Sequence, residues 1–372
     1  MQIKDRNQIY KIRKKFHKQS RRKYTLNRRN VFVDKNSRKK PLVFIVFSIS
    51  CFMALIVVIP ALVVNIGDDD NGKIPFPKTE GTVQDQGEEE ELAIDVSVKR
   101  EKTDEVETVP LEEYVKSVVA SEMPAEFEEE ALKAQAIAAR TYIINHLLHE
   151  DDEVISDTTD HQVYLNKEEL KELWGSDFEW KWDKISRAVE ETKSMIITYE
   201  GQPITPTFFS MSNGYTEDAK YYWGNEFPYL KSVESEWEVD LPNFMSQEIF
   251  TTKEVKEKLN LTYTGNPIPI HIKRTPSNRV AEISFGGQTF TGREVREKLN
   301  LRSTDFSIEQ RNDHVIFTTK GYGHGVGMSQ YGANGMAEEG KTHEEILAYY
   351  YNGIELTKMS EEETPYVLAF NK

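Results

Sequence analysis

The side chain in this sequence best suited to acid–base chemistry is Glu122, in the run Ser121-Glu122-Met123-Pro124. Most acids in so acidic a chain are solvated surface. Glu122 stands out by its setting between apolar residues and a proline, and an apolar setting would raise its pKa by desolvation, as a proton donor requires. Two cations, Lys133 and Arg140, follow about two helical turns apart on one face. Further along, Gly321, Gly323, Gly325 and Gly327 alternate around His324, which reads as a strand with one bare face open to a ligand or to another backbone. No G-x-x-x-x-G-K-[ST] pattern is present, so this is not a phosphate loop. His324, flanked by glycines, is a candidate for lining a site. His146, His149 and His161 cluster with Asp151, Asp152 and Asp157, but their spacing is weaker than H-E-x-x-H and no thiol accompanies them. No metal or other cofactor is expected. A serine acyl-enzyme requires S-x-x-K, and the matches at Ser20 and Ser37 lie in the N-terminal arm.

The elements that must position these groups centre on Pro110 to Leu148. Leu111, Tyr114, Val115, Val118 and Val119 recur at helical spacing, with Pro110 suited to the first turn. Pro124 ends that helix close to Glu122. A second helix resumes around Glu128, with Ala131, Ala134, Gln135, Ala138, Ala139 and Tyr142 on one side, where small side chains permit close packing. Loop follows to Tyr164. A helix through Ile185 and Val189 precedes strands at Met195–Tyr199 and Ile204–Ser210, and a late strand at Val315–Thr319 leads into the glycine segment. The last helix spans Thr342 to Tyr351. Residues 246–314 contain EVKEKLNL and EVREKLNL at a spacing of 40, too few copies for a solenoid, and read as an inserted subdomain.

Charge divides the 372 residues sharply. The net charge is −15, yet residues 1–40 hold sixteen Lys and Arg against two Asp, leaving about −29 for the rest. Residues 41–66 are apolar almost throughout, long enough to span a bilayer and too long for a cleaved signal core. The basic arm then lies on the cytoplasmic side and the acidic remainder outside. An acidic ectodomain repels nucleic acid, so none is expected as a partner. The one cysteine, Cys51, falls within the span, so the ectodomain has no disulfide and rests on its own core. Residues 67–108 form an acidic stalk with a strand expected near its end at Leu92–Val98, 109–358 the ectodomain proper and 359–372 a tail. The fold class is α+β: one transmembrane helix, then mixed helices and strands meeting around a cleft.

Several blocks together resemble the stage II sporulation protein D (SpoIID/LytB) family. They are Val118 to Pro124, Leu132 to Tyr142, Asp160-His161-Gln162-Val163-Tyr164, Phe209 to Gly214, Trp223-Gly224, Pro228-Tyr229-Leu230 and Gly321 to Gly332, in order over 105–358. The anchor with its basic arm is similar to the sporulation form. The resemblance implies a lytic transglycosylase of the outer face of the mother-cell membrane. It would cut MurNAc–GlcNAc bonds of peptide-stripped peptidoglycan to 1,6-anhydro ends during engulfment, working with the amidase stage II sporulation protein P and the membrane protein stage II sporulation protein M. It puts the catalytic acid on Glu122 and substrate contacts on Lys133, Gln135, Arg140, Tyr142, Ser210, Ser212 and His324, with the two cations holding the lactyl carboxylate. Two departures stand out: the cysteines of zinc-binding relatives are missing, and Met211 and Asn213 replace smaller residues. A non-catalytic scaffold recruiting an amidase, and a hydrolysing muramidase with Glu217 or Asp218 as second carboxylate, are the competing readings.

Overall fold

A computed structural model describes residues 94–149 and 154–359. The basic arm, the apolar run at 41–66, most of the stalk and the C-terminal tail lie outside them. Among the described residues no helix is long and apolar enough to cross a membrane. The folded region begins earlier than residue 109. Strand β1 (Asp95–Lys99) pairs antiparallel with β2 (Val106–Pro110), and its Val96 and Val98 are buried. Alternation of apolar and polar residues along 94–98 therefore wins over the acidic composition around it.

Helix α1 (Leu111–Glu122) follows directly, and Met123 turns extended with its N–H on the Val119 carbonyl. Helix α2 (Glu129–His149) is buried around most of its circumference: Ala131, Ala134, Ala136, Ile137, Ala138 and Ala139 are each fully buried. It is thus a central helix and not an amphipathic one. It packs against α1 and, further along the chain, against α4 (Phe178–Glu191), which follows β3 (Val154–Ser156) and α3 (Lys167–Trp174). Strand β3 adds to β1 in parallel, and β4 (Met195–Tyr199) runs against α2 and pairs with β5 (Gln202–Pro203). The expected strand at 204–210 shrinks to β6 (Phe208–Phe209). β7 (Gly214–Tyr215), α5 (Ala219–Tyr222) and β8 (Glu234–Ser235) complete this part.

The insert has a core of its own, built from Val255, Ile283, Phe285, Val295, Phe306 and Phe317 among others. It runs from β9 (Met245–Thr251) and α6 (Thr252–Lys258) through β10 (Ile270–Arg274), β11 (Val280–Phe285), β12 (Gln288–Thr291) and α7 (Gly292–Leu299) to β13 (Phe306–Arg311) and β14 (His314–Lys320). β14 sits between β13 and β9, so the strand expected to lead into the glycine segment belongs to the insert. The repeat has a local physical basis: each copy is a helix opened by a threonine capping box, Thr251 with Glu254 and Thr291 with Glu294.

The glycine segment is not a flat strand. Gly321, Gly323, Gly325 and Gly327 all have positive φ, and the chain between them winds tightly against the loop at 207–217. A Cβ at Gly327 would lie 1.9 Å from the Thr207 carbonyl oxygen, and one at Gly321 would lie 2.5 Å from that of Ser212. An every-other-residue glycine pattern fits repeated left-handed turns as well as a bare strand face. The close backbone approach is real; the strand is not. β15 (Met328–Ser329) then pairs parallel with β6, and α8 (Gln330–Glu338), α9 (His343–Tyr350) and β16 (Glu355–Lys358) close the main core.

Candidate active site

Glu122 is the last residue of α1; the half-buried Ser121 separates it from the buried Val118, Val119 and Ala120, and the buried Met123 follows it. Its Oε1 accepts the Val163 N–H at 3.0 Å. The loop that supplies this amide is itself held: the Tyr114 hydroxyl donates to Gln162 Oε1 at 3.0 Å, and the Tyr114 and Tyr164 rings stack 5.7 Å apart. Burial pushes the Glu122 carboxyl up to about 7, and the Val163 bond offsets only part of this. Among the described residues no Lys or Arg forms an ion pair with it. The site therefore holds a carboxylic acid that is half-ionised near neutrality, the condition for both giving and taking a proton. A rate that depends on the protonated acid is expected to be flat at mildly acidic pH and to fall about tenfold per unit above ~7. A pH–rate profile on purified glycan strands checks this; a descending limb near the ordinary glutamate pKa would contradict it.

The two cations of α2 are engaged within the protein. Arg140 is wholly buried; its Nη2 and Nε bond Glu112 at 2.6 and 2.9 Å, and its Nη1 and Nη2 reach the Met195 and Val189 carbonyls. Lys133 pairs with Glu130 at 2.8 Å and Glu191 at 2.6 Å. The partners Glu112 and Glu191 come from α1 and α4, so helical spacing alone could not reveal them. The expectation that both cations hold a substrate carboxylate is corrected for Arg140, whose guanidinium has no open face. Tyr142 is half-buried, and both it and Glu122 act electrostatically on the Tyr114 phenol.

Gln135 is fully buried, with its Oε1 3.5 Å from Gln330 Nε2 and its own Nε2 without a partner. Ser210 is half-buried just past β6; its carbonyl accepts the Tyr331 N–H, and its hydroxyl makes no hydrogen bond among the described residues. Ser212 lies inside the fold. Its hydroxyl donates to the Ser235 carbonyl at 2.6 Å and accepts the Gly214 N–H, shaping a turn and leaving nothing for a ligand. His324 is likewise built in. Its Nδ1 accepts the Val326 N–H at 3.0 Å, and Phe209, Tyr222 and Trp223 enclose the ring. Burial first, then the charge of Arg296, pushes it down to about 3, so it is neutral at every physiological pH. The open position suggested by its glycine neighbours is filled from other parts of the chain.

Three placements were not legible in advance. Glu238 is fully buried and accepts the Ser212 N–H, the Ser235 hydroxyl and the Ser329 hydroxyl at 2.8, 3.3 and 2.6 Å, binding the glycine-segment exit to β8. Nothing distinguishes it in sequence from its acidic neighbours. Asn213 ties the main lobe to the insert through the Ser277 carbonyl, Asp305 and Arg279, which accounts for an amide where a small residue would fit the turn. Glu217 accepts from the Thr275 hydroxyl and the Asp218 N–H, while Asp218 caps α5 and faces Lys231. Both acids proposed as a second carboxylate are thus occupied. The His146 and His161 rings meet edge to face at 5.1 Å, and His161 Nδ1 faces Ser156. Among the described residues no group of three or more His, Cys, Asp or Glu is arranged to hold a metal.

Residues 99–199, which include Glu122, α2 and the Val163 loop, match the family model described as stage II sporulation protein. The chain is 41% identical over 329 residues to stage II sporulation protein D of Bacillus amyloliquefaciens, covering 84% of this chain and 96% of that one. It is 44% identical over 272 residues to stage II sporulation protein D of Bacillus subtilis (strain 168), covering 71% and 79%. A more distant relative is the amidase enhancer of Bacillus subtilis, 29% identical over 299 residues, which cover 65% of this chain and 40% of that one.

Proposed function

The chain belongs to the stage II sporulation protein D family, and on that footing we propose that it is a peptidoglycan lytic transglycosylase. The observation that carries the proposal is Glu122: a carboxyl raised to about 7, steadied by one backbone amide, with no cation beside it. Glycosidases that use water usually need two carboxylates across the scissile bond. In a transglycosylase the muramic C6 hydroxyl takes the place of water, so one group suffices. The neutral Glu122 protonates the oxygen leaving from the muramic anomeric carbon, and that C–O bond breaks. The C6 oxygen then bonds to the anomeric carbon as Glu122 removes its proton, which returns the acid to its starting form and leaves a 1,6-anhydro end. Ser210 has the free hydroxyl best suited to a sugar contact, with Tyr142 and Lys133 next to consider. Arg140, Ser212 and His324 act by holding the frame, and Gln135 by joining α2 to α8.

The substrate in this reading is glycan whose stem peptides an amidase has removed. Stage II sporulation proteins P and M are the proposed partners, and the anchor at 41–66 would hold the domain outside the mother-cell membrane during engulfment. The printed name of the distant amidase enhancer favours one further reading, a scaffold that promotes an amidase without chemistry of its own. Mass spectrometry of amidase-treated glycan after incubation with the protein separates the readings. Anhydro-muramic ends are expected; no products would support the scaffold, and reducing ends would support a hydrolase.

A further inference from the structure

We propose that the crevice between the main lobe and the insert is a second binding site, for a small anionic group (a carboxylate or a phosphate) gripped by Arg279 and Arg293. The crevice has a volume of about 140 Å³ and is lined by Glu217, Tyr221 and Tyr222 on one side and by Arg279, Arg293 and Thr304 on the other. That is room for several waters or one small anion.

Arg279 is the central observation. It is 2% exposed, and among the described residues no carboxylate oxygen lies within 4.0 Å of its guanidinium. Its Nη1 donates to Asn213 Oδ1 at 2.5 Å and to the Tyr215 carbonyl at 3.2 Å, both neutral acceptors, and its Nε has no partner. Glu217, Asp305 and Glu238 act on it electrostatically without reaching ion-pairing distance, and a buried cation without a direct partner is costly. The acids that might serve are already committed. Glu217 accepts from the Thr275 hydroxyl and the Asp218 amide, and Asp305 pairs with Arg274 at 3.2 Å and accepts from Asn213. Thr304 Oγ1, also buried and on the crevice wall, is a second donor without a partner.

One acid, Glu217, lines the crevice with its oxygens turned to the Thr275 hydroxyl and the Asp218 N–H; the other charged groups lining it are cations. Arg293 stands in the first turn of α7, half exposed at the mouth, with its Nε on Glu297 at 2.8 Å and its guanidinium 5.4 Å over the Tyr222 ring. Arg296 adds a third cation behind it, bonded to the Tyr222 hydroxyl at 3.2 Å, with an Nε that also has no partner. The N-terminal end of α7 contributes its positive dipole in the same direction. Two glycines set the walls. A Cβ at Gly325 would lie 2.4 Å from Arg279 Nε, and one at Gly292 would lie 1.9 Å from the Val280 carbonyl oxygen. An anion seated here would bridge the two lobes and supply the direct ion pair that Arg279 lacks among the described residues. The site shares no lining residue with the surroundings of Glu122 and does not depend on the reaction proposed for it.

The test is thermal unfolding of the full-length chain in sodium phosphate or sodium acetate at constant ionic strength, with chloride as the reference. Saturable stabilisation by at least one of the two anions is expected in the millimolar range. Arg293→Ala and Thr304→Val should each weaken it, the first about tenfold, as loss of a charge-assisted contact would. Response to phosphate alone assigns the site to a phosphate-bearing ligand, and response to acetate alone assigns it to a carboxylate such as a peptide terminus. Equal stabilisation by chloride, no effect of either anion, or an unchanged response in both variants would overturn the proposal.

Discussion

Glu122→Gln is expected to reduce release of anhydro-muropeptides about a hundred- to ten-thousandfold, the range general acid–base catalysis contributes. Glutamine keeps the shape, and its carbonyl oxygen can still accept the Val163 N–H at the 3.0 Å position. What it cannot do is hand a proton to the leaving oxygen. The same substitution carries a second, independent signature in stability. The carboxyl is raised from 4.5 in the unfolded chain to about 7 in the fold. Its favourable contribution is therefore complete below about 4.5 and is lost as pH rises through about 7. Charging it within the fold costs on the order of 3 kcal/mol by that linkage. Wild type and variant should thus melt together at pH 4, while the variant should be the more stable at pH 8. Melting curves at both values check the burial, and product analysis checks the chemistry. Wild-type turnover in the variant would remove Glu122 from the mechanism even if the stability difference appeared as described.

Arg140→Ala should destabilise the protein by about 3–5 kcal/mol, the cost of breaking one side of a buried ion pair. The substitution leaves Glu112 on α1 without its main partner and strips donors from the Met195 and Val189 carbonyls, so α1, α4 and β4 all lose an anchor on α2. Urea unfolding of the wild type and variant measures it. The double substitution Arg140→Met with Glu112→Leu should recover much of the loss, because an apolar pair of similar volume removes the stranded charge. A variant that folded normally but bound glycan weakly would show that Arg140 serves a ligand after all, and the core assignment would fall.

The reading from residues alone went furthest where the cause is local. Helix α1 ends at Glu122 because Pro124 restricts the residue before it, and the elevated acid follows from the apolar residues on either side of it in the chain. The two capped helices of the insert repeat because each carries its own threonine and glutamate. Reading failed where a partner arrives from elsewhere. Lys133 and Arg140 looked like free cations because Glu191 and Glu112 are distant in sequence. His324 looked open because its glycine neighbours hide the fact that Phe209, Tyr222 and Trp223 surround it.

By itself, then, the amino-acid sequence determined which acid is the leading candidate, where its helix stops, the α+β character of the ectodomain and the family. These depend on residue type, on spacing within a few positions and on short blocks in a fixed order. Only the tertiary structure decided that the Val163 amide meets that acid, that Arg140 belongs to the core, that Glu238 binds three donors and that Arg279 lies buried with no carboxylate among the described residues at ion-pairing distance. Each of those is a meeting of groups far apart along the chain, set by how helices and strands pack in three dimensions, and spacing along the chain carries no record of it.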